Sequence, residues 1–169
     1  MIFNVKRHNF DLYNTLLTLS RDIFFYKNIK LKDCFETRIY LMFFHFSIMM
    51  IVFRKKGEKF NQQEYDILFQ NIENNLRELG FGDVTVNKKM KELNKILYDI
   101  LLKLEHLKKD KKPFKLNHLL IIKYFTELED PKTTRYIDFE RYFLKFYDLS
   151  LIHISEPTRR SWISYAVFC

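Results

Sequence analysis

The chain has 169 residues, 47% of them apolar, and a formal net charge of +8, which suits one domain with a substantial core. The basic balance fits ribosomal RNA, anionic lipid or an acidic partner equally well. Of the two cysteines one lies in a tail read below as foreign, so an internal disulfide is excluded and a reducing compartment is expected. The opening MIFNVKRHNF lacks an apolar h-region and a small-residue cleavage site, so no signal peptide or transit segment is expected there.

In chain order, Phe10, Tyr13, Leu16, Leu17 and either Ser20 or Arg21 mark a first helix, with Leu12 and Leu19 widening its apolar face. Residues 22–26, DIFFY, read as a short helix or an aromatic turn, and residues 27–32 as a basic connector. Residues 33–55 form the stretch on which the rest is organised. From Ile39 to Phe53 only His45 and Ser47 interrupt an apolar run, with no Pro or Gly in it. Asp33 is expected to cap this helix with Glu36 as its capping-box partner, and Gly57 to end it. A helix apolar all round is central in a bundle or lies in a membrane. The run is about 15 residues against the roughly 20 that a span needs, so a buried core helix is the expectation. Phe43, Phe46 and Met50 are expected in the core, and His45 as a hydrogen-bonded core residue.

Asn61 caps a fourth segment with Glu64 as box partner, Phe60 and Tyr65 at the hydrophobic-staple positions, and Gly80 as its stop. Gly80-Phe81-Gly82-Asp83 reads as a tight turn whose glycines permit positive φ. A fifth helix is expected over residues 86–109. Met90, Leu93, Leu97, Ile100, Leu104 and Leu107 alternate in spacings of three and four and need a facing helix. A charged loop over 108–112 leads to Pro113, and residues 116–128 and 134–147 read as two further helices around Asp130-Pro131. The fold class expected is all-α, a single compact multi-helix domain around the central apolar helix.

The end of the chain has another origin. Residues 149–159, LSLIHISEPTR, are what the end of a transposase-based sequencing-library adapter gives on translation. Residues 163–169, ISYAVFC, are what the flow-cell end of the same adapter gives, with room for an index between them. The expectation is a helical domain over residues 1–148 whose natural C-terminus is missing, and a non-native tail over 149–169 that is unpacked or loosely docked. The tail carries one net positive charge, Arg159 and Arg160 against Glu156.

Enzymatic signatures are absent: no Gly-rich phosphate loop, no paired cysteines for zinc, no nucleophile elbow. His8, His45, His106 and His118 are scattered, and no catalytic residue, metal site or cofactor is expected. Basic residues are the better signal. Lys88, Lys91 and Lys95 share one side of the fifth helix, opposite its leucines, with Lys89 beside them. They are a solvated face or a contact. Cations near a helix N-terminus oppose the dipole, which favours an external anionic partner. Arg38 enters an apolar helix and needs a partner, either an internal carboxylate such as Glu73 or a group on a bound client.

Asp33-Cys34-Phe35-Glu36-Thr37-Arg38 ahead of a long apolar helix resembles the D-x-F-E-x-R opening of the ubiquinol–cytochrome c chaperone family. The stretch from Leu76-Arg77-Glu78 through Gly80, Gly82 and Asp83 to Val86, Lys88, Met90 and Lys91 resembles that family's second signature, L-R-E-x-G-x-G-D-x-x-V-x-K-x-M-K. Leu12-Tyr13, Arg21 and Tyr26 also fit, so the resemblance runs from Leu12 to Leu102. Cys34 stands where the family commonly has a small polar residue. The resemblance implies an all-helical, non-enzymatic assembly chaperone for the cytochrome b subunit of ubiquinol–cytochrome c reductase. It implies action near the ribosome with a small partner protein, in the cytoplasm or peripherally on the inner membrane. On that reading Asp33, Glu36, Gly80, Gly82 and Asp83 are structural, and Arg38, Lys88, Lys89, Lys91 and Lys95 meet client, ribosome or lipid. A groove bounded by the apolar stripes of the central and fifth helices would shelter the client. The alternatives are a basic helical ribosome- or RNA-binding protein and a peripheral membrane-binding protein.

Overall fold

The computed structural model describes residues 11–106 and 114–153. It is built from α1 (Asp11–Ser20), α2 (Ile23–Lys27), α3 (Phe35–Lys55), α4 (Gln62–Glu78), α5 (Asp83–His106), α6 (His118–Tyr124), a 3-10 turn (Thr126–Leu128) and α7 (Thr134–His153). Among the described residues there is no strand, and the fold is all-α around α3. His8, Phe10, Leu107 and the basic loop over 108–112 lie outside the described residues.

The core helix owes its place to its composition. α3 packs on α1, α5 and α7, and α4 lies against α1 and α5. Phe43, Phe44 and Phe46 are fully buried, while Met50 is only half-buried. The rings of Phe44 and Phe143 pack at 5.6 Å, Phe43 and Phe69 stack at 5.8 Å, and Phe60 meets Phe46 edge-on at 5.1 Å. By length and composition alone α3 could cross a membrane, but 72% of its most apolar window is buried by the other helices. His45 is fully buried, bonded through Nδ1 to the Leu41 carbonyl at 2.7 Å and through Nε2 to the Tyr142 hydroxyl at 2.9 Å.

The helix starts need correction. Asp33 does not cap α3. Cys34 holds the cap position with an extended backbone and no side-chain cap bond. Its Sγ lies 3.2 Å from the Thr37 hydroxyl. The Asp33 carboxylate is taken instead by Arg38, one turn into the helix, so Glu36 is an exposed first-turn acid rather than half of a capping box. Asn61 does cap α4, accepting from the Gln63 amide at 3.0 Å. The basic connector over 27–32 is also a core segment, because Ile29 and Leu31 are buried.

Residues 116–128 are not one helix. Phe125 leaves helical geometry at φ −130° and ψ 79°. Its ring is buried against Phe139 at 5.0 Å and Phe44 at 5.3 Å, and the following turn carries Leu128 inward. α7 continues past residue 147 to His153. Ser150 is buried and bonds back to the Phe146 carbonyl at 2.7 Å, and Leu151 packs on the core. Residues 149–153, expected to be unpacked or loosely docked, are therefore helical, with Ser150 and Leu151 on the core and Ile152 exposed. A helix already nucleated adds one bond for each further residue fixed, and LSLIH contains no breaker.

Candidate functional site

The corner between α4 and α5 carries most of the second signature. α4 ends in paired backbone bonds, Phe81 N–H to the Leu76 carbonyl at 3.2 Å and Gly80 N–H to the Arg77 carbonyl at 2.9 Å. This stop needs a left-handed residue, and Gly80 supplies it at φ +89°. Gly82 does not have positive φ, and a Cβ there would meet nothing within 4 Å. Gly82 is thus no turn glycine in the sense expected. Its carbonyl accepts the Val86 amide at 2.9 Å and starts α5 three residues earlier than the sequence suggests. Asp83 stands in that first turn, where a carboxylate suits the dipole. It pairs with the guanidinium of Arg77, which also holds Glu73 at 2.8 Å.

The earlier start changes the reading of the lysines. Lys88 and Lys89 now lie in the second turn, and the dipole effect fades within the first. Their opposition to the dipole is therefore weak, and the case for an external partner moves to their surroundings. Inward, Val86, Leu93, Leu97, Ile100 and Leu104 are buried, with Met90 packed beside them. Displaced by two positions, and so roughly 180° around the helix, runs a second row at the same spacing: Val84, Lys88, Lys91, Lys95, Tyr98 and Leu102. All six are exposed, Val84 at 85% and Leu102 at 53%. The corner adds exposed Leu79 and Phe81, and Lys89 Nζ sits over the Phe81 ring at 4.9 Å from its centroid.

Among the described residues no ion pair engages Lys88, Lys89, Lys91 or Lys95. The cation further along the helix is treated differently. Lys103 Nζ lies 2.9 Å from Asp99, and Lys123 of α6 reaches the same carboxylate at 2.8 Å. The Tyr124 hydroxyl donates to it at 2.6 Å. Burial raises the Asp99 carboxyl, but these three donors outweigh it and hold it at about 2. The structure thus pins α5 to α6 through one acid and leaves the lysine row open.

Arg38 lies on a different helix from that row, in the first turn of α3. Its Nη2 lies 2.6 Å from Asp33 and its Nε donates to the same oxygen at 2.8 Å, with the Tyr26 hydroxyl beside them. Glu73 is not its partner, being engaged by Arg77. The groove expected between the apolar stripes of α3 and α5 is closed, since α3 is buried and α5 packs directly on it. Leu79, expected to face inward with Leu68, Ile72 and Leu76 on the α4 stripe, is instead exposed, because it lies in the stop that ends the helix. The exposure of Phe81, Val84, Tyr98 and Leu102 was not anticipated, and for Val84, Tyr98 and Leu102 the signal lay in the repeat of the leucine spacing, shifted by two. Among the described residues no group of three or more His, Cys, Asp or Glu side chains could hold a metal ion.

A family model described as ubiquinol-cytochrome C chaperone matches residues 27–135, well over half of the chain. The match runs from the end of α2 into α7 and takes in both the start of α3 and the α4–α5 corner. Neither a curated protein nor a solved structure matches the chain.

Proposed function

The chain belongs to the ubiquinol-cytochrome C chaperone family, and on that basis we propose that it is a non-enzymatic chaperone that holds cytochrome b while ubiquinol–cytochrome c reductase is assembled. The family match across both signature regions carries this reading. The client is a membrane protein, and the chaperone works in the cytoplasm and peripherally on the inner membrane. A ribosome and a small partner protein belong to the same proposal.

With the groove between α3 and α5 closed, client contacts fall on exposed surface. Arg38 is proposed as one of them. Asp33 already neutralises it, and its side chain is 38% exposed, so it can exchange that partner for a client carboxylate at small cost, since exposed pairs contribute only about 0–1 kcal/mol. Lys88, Lys89, Lys91 and Lys95 are proposed to attach the chaperone to an anionic surface at its place of work.

Deleting the gene should lower assembled complex III while cytochrome b is still translated. Affinity capture from cells making the complex should recover cytochrome b with the chaperone. Normal complex III in the deletion strain would overturn the reading. The open lysine row would then favour a ribosome- or RNA-binding protein, whose affinity falls steeply with salt.

A further inference from the structure

The outward face of α5 combines two features that point to one kind of surface. Three lysines, Lys88, Lys91 and Lys95, follow one another along the helix with no ion-pair partner among the described residues. Exposed apolar side chains close the row at both ends: Val84 with neighbouring Leu79 and Phe81 at one, Tyr98 and Leu102 at the other. The row is straight and, at 1.5 Å per residue, about 27 Å long from Val84 to Leu102. Of the acids around it, Asp83 is held by Arg77 and Asp99 by Lys103 and Lys123, while Glu92 at one edge and Glu78 at the corner are exposed with no ion pair among the described residues, so the lysines outnumber the open acids.

We propose that this face of α5, with the α4–α5 corner, docks flat on an anionic phospholipid bilayer. The lysine ammonium groups would lie among the headgroups, while their methylene stems and the apolar ends reach the upper acyl region. RNA would reward the lysines, but it offers nothing to Leu79, Val84 or Leu102. A protein partner would bury the middle of the row, and lysine is depleted in interface centres. Lipid answers both features, by attraction of the cations and burial of the aliphatic ends. The inference deepens the chaperone reading by naming what the lysines meet.

The test is co-sedimentation of the full chain with vesicles of phosphatidylcholine, with and without phosphatidylglycerol. Binding should require the anionic lipid. Replacing Lys88, Lys91 and Lys95 together by Gln should weaken it on the order of 100-fold, since each lysine near such a surface is worth a factor of about five. Val84→Ser with Leu102→Ser should weaken it about tenfold and leave a residue of binding that salt removes more completely. Lys145→Gln, an exposed lysine on α7, should change nothing, and far-UV circular dichroism checks that every variant is folded. Equal binding to both vesicle types, or a triple variant that binds like the parent, overturns the inference. Tight binding to a single-stranded RNA with no vesicle binding overturns it in favour of the nucleic-acid reading. Normal complex III in the deletion strain would sink the chaperone reading and leave the vesicle result standing, so the two failures are separable.

Discussion

His45 sits at the centre of α3 with no exposure. Its Nδ1–H donates to the Leu41 carbonyl, which leaves Nε2 to accept from the Tyr142 hydroxyl. This bonding is that of a neutral ring, the form burial favours. Burial depresses its pKa from 6.5 to about 4, against a smaller upward pull from the Leu41 carbonyl. In the unfolded chain the ring takes up a proton near 6.5. Between about pH 4 and pH 6.5 the unfolded state binds more protons, so stability rises with pH. The contribution is full above pH 6.5 and is lost as pH falls through the window, to a total on the order of 3 kcal/mol. Denaturant melts at pH 7 and pH 5 should show about 2 kcal/mol of that loss, and His45→Phe should remove most of the difference while lowering stability at pH 7. A pH slope unchanged in His45→Phe would place the titrating group elsewhere. That His45 belongs to the core was legible from its neighbours in sequence. Its partner Tyr142 is 97 residues away, and no local pattern could have named it.

At the scale of elements, periodicity located the long helices, left α2 open between a helix and a turn and ran α6 together with the 3-10 turn after it, and local chemistry misplaced several ends. Asp33 has the right side chain for a cap, yet Arg38 lies within its reach, and a charge-assisted bond competes well with a cap. Glu73 has the right charge for Arg38, but Arg77 shares its own helix at the i, i+4 spacing and takes it first. Glycines show the same limit. Gly80 and Gly82 read alike in sequence, while only Gly80 holds positive φ. Gly80→Ala should cost about 1–2 kcal/mol, because an L side chain is strained there. Gly82→Ala should cost less, under about 1 kcal/mol, since its φ is not positive and a Cβ meets open space, leaving only the poorer fit of Ala at the start of α5. Chemical denaturation of both variants separates the two. Equal losses would mean that the α4–α5 corner differs from the geometry described. A Gly82→Ala chain that folds normally but fails to restore complex III would give that glycine a role in contact.

For the whole molecule, the all-α architecture was legible because the apolar run of α3 can be satisfied only by surrounding it. α1, α5 and α7 do so with stripes that the sequence displays openly. The extent of the folded unit was harder to read, because the origin of a sequence does not decide whether it packs. Residues 149–153, expected from the sequence to begin a translated adapter, extend α7 by more than a turn. They lie where the core and α3 can use them: Ser150 is buried, Leu151 packs on the core, and the Lys56 ammonium donates to the Leu151 carbonyl. A tail unpacked from residue 149 onward would make truncation after Asp148 silent. These contacts predict instead a loss of about 1–2 kcal/mol, the partial burial of one leucine and one charge-assisted bond. At this chain size that is a fall in Tm of about 2–8 °C. Calorimetry on the chain ended at Asp148 measures it. A Tm identical to that of the full chain would mean that the last turn of α7 forms without contributing. A fall beyond about 15 °C would make those five residues an integral part of the core, because an extension that merely continues a finished helix cannot contribute so much.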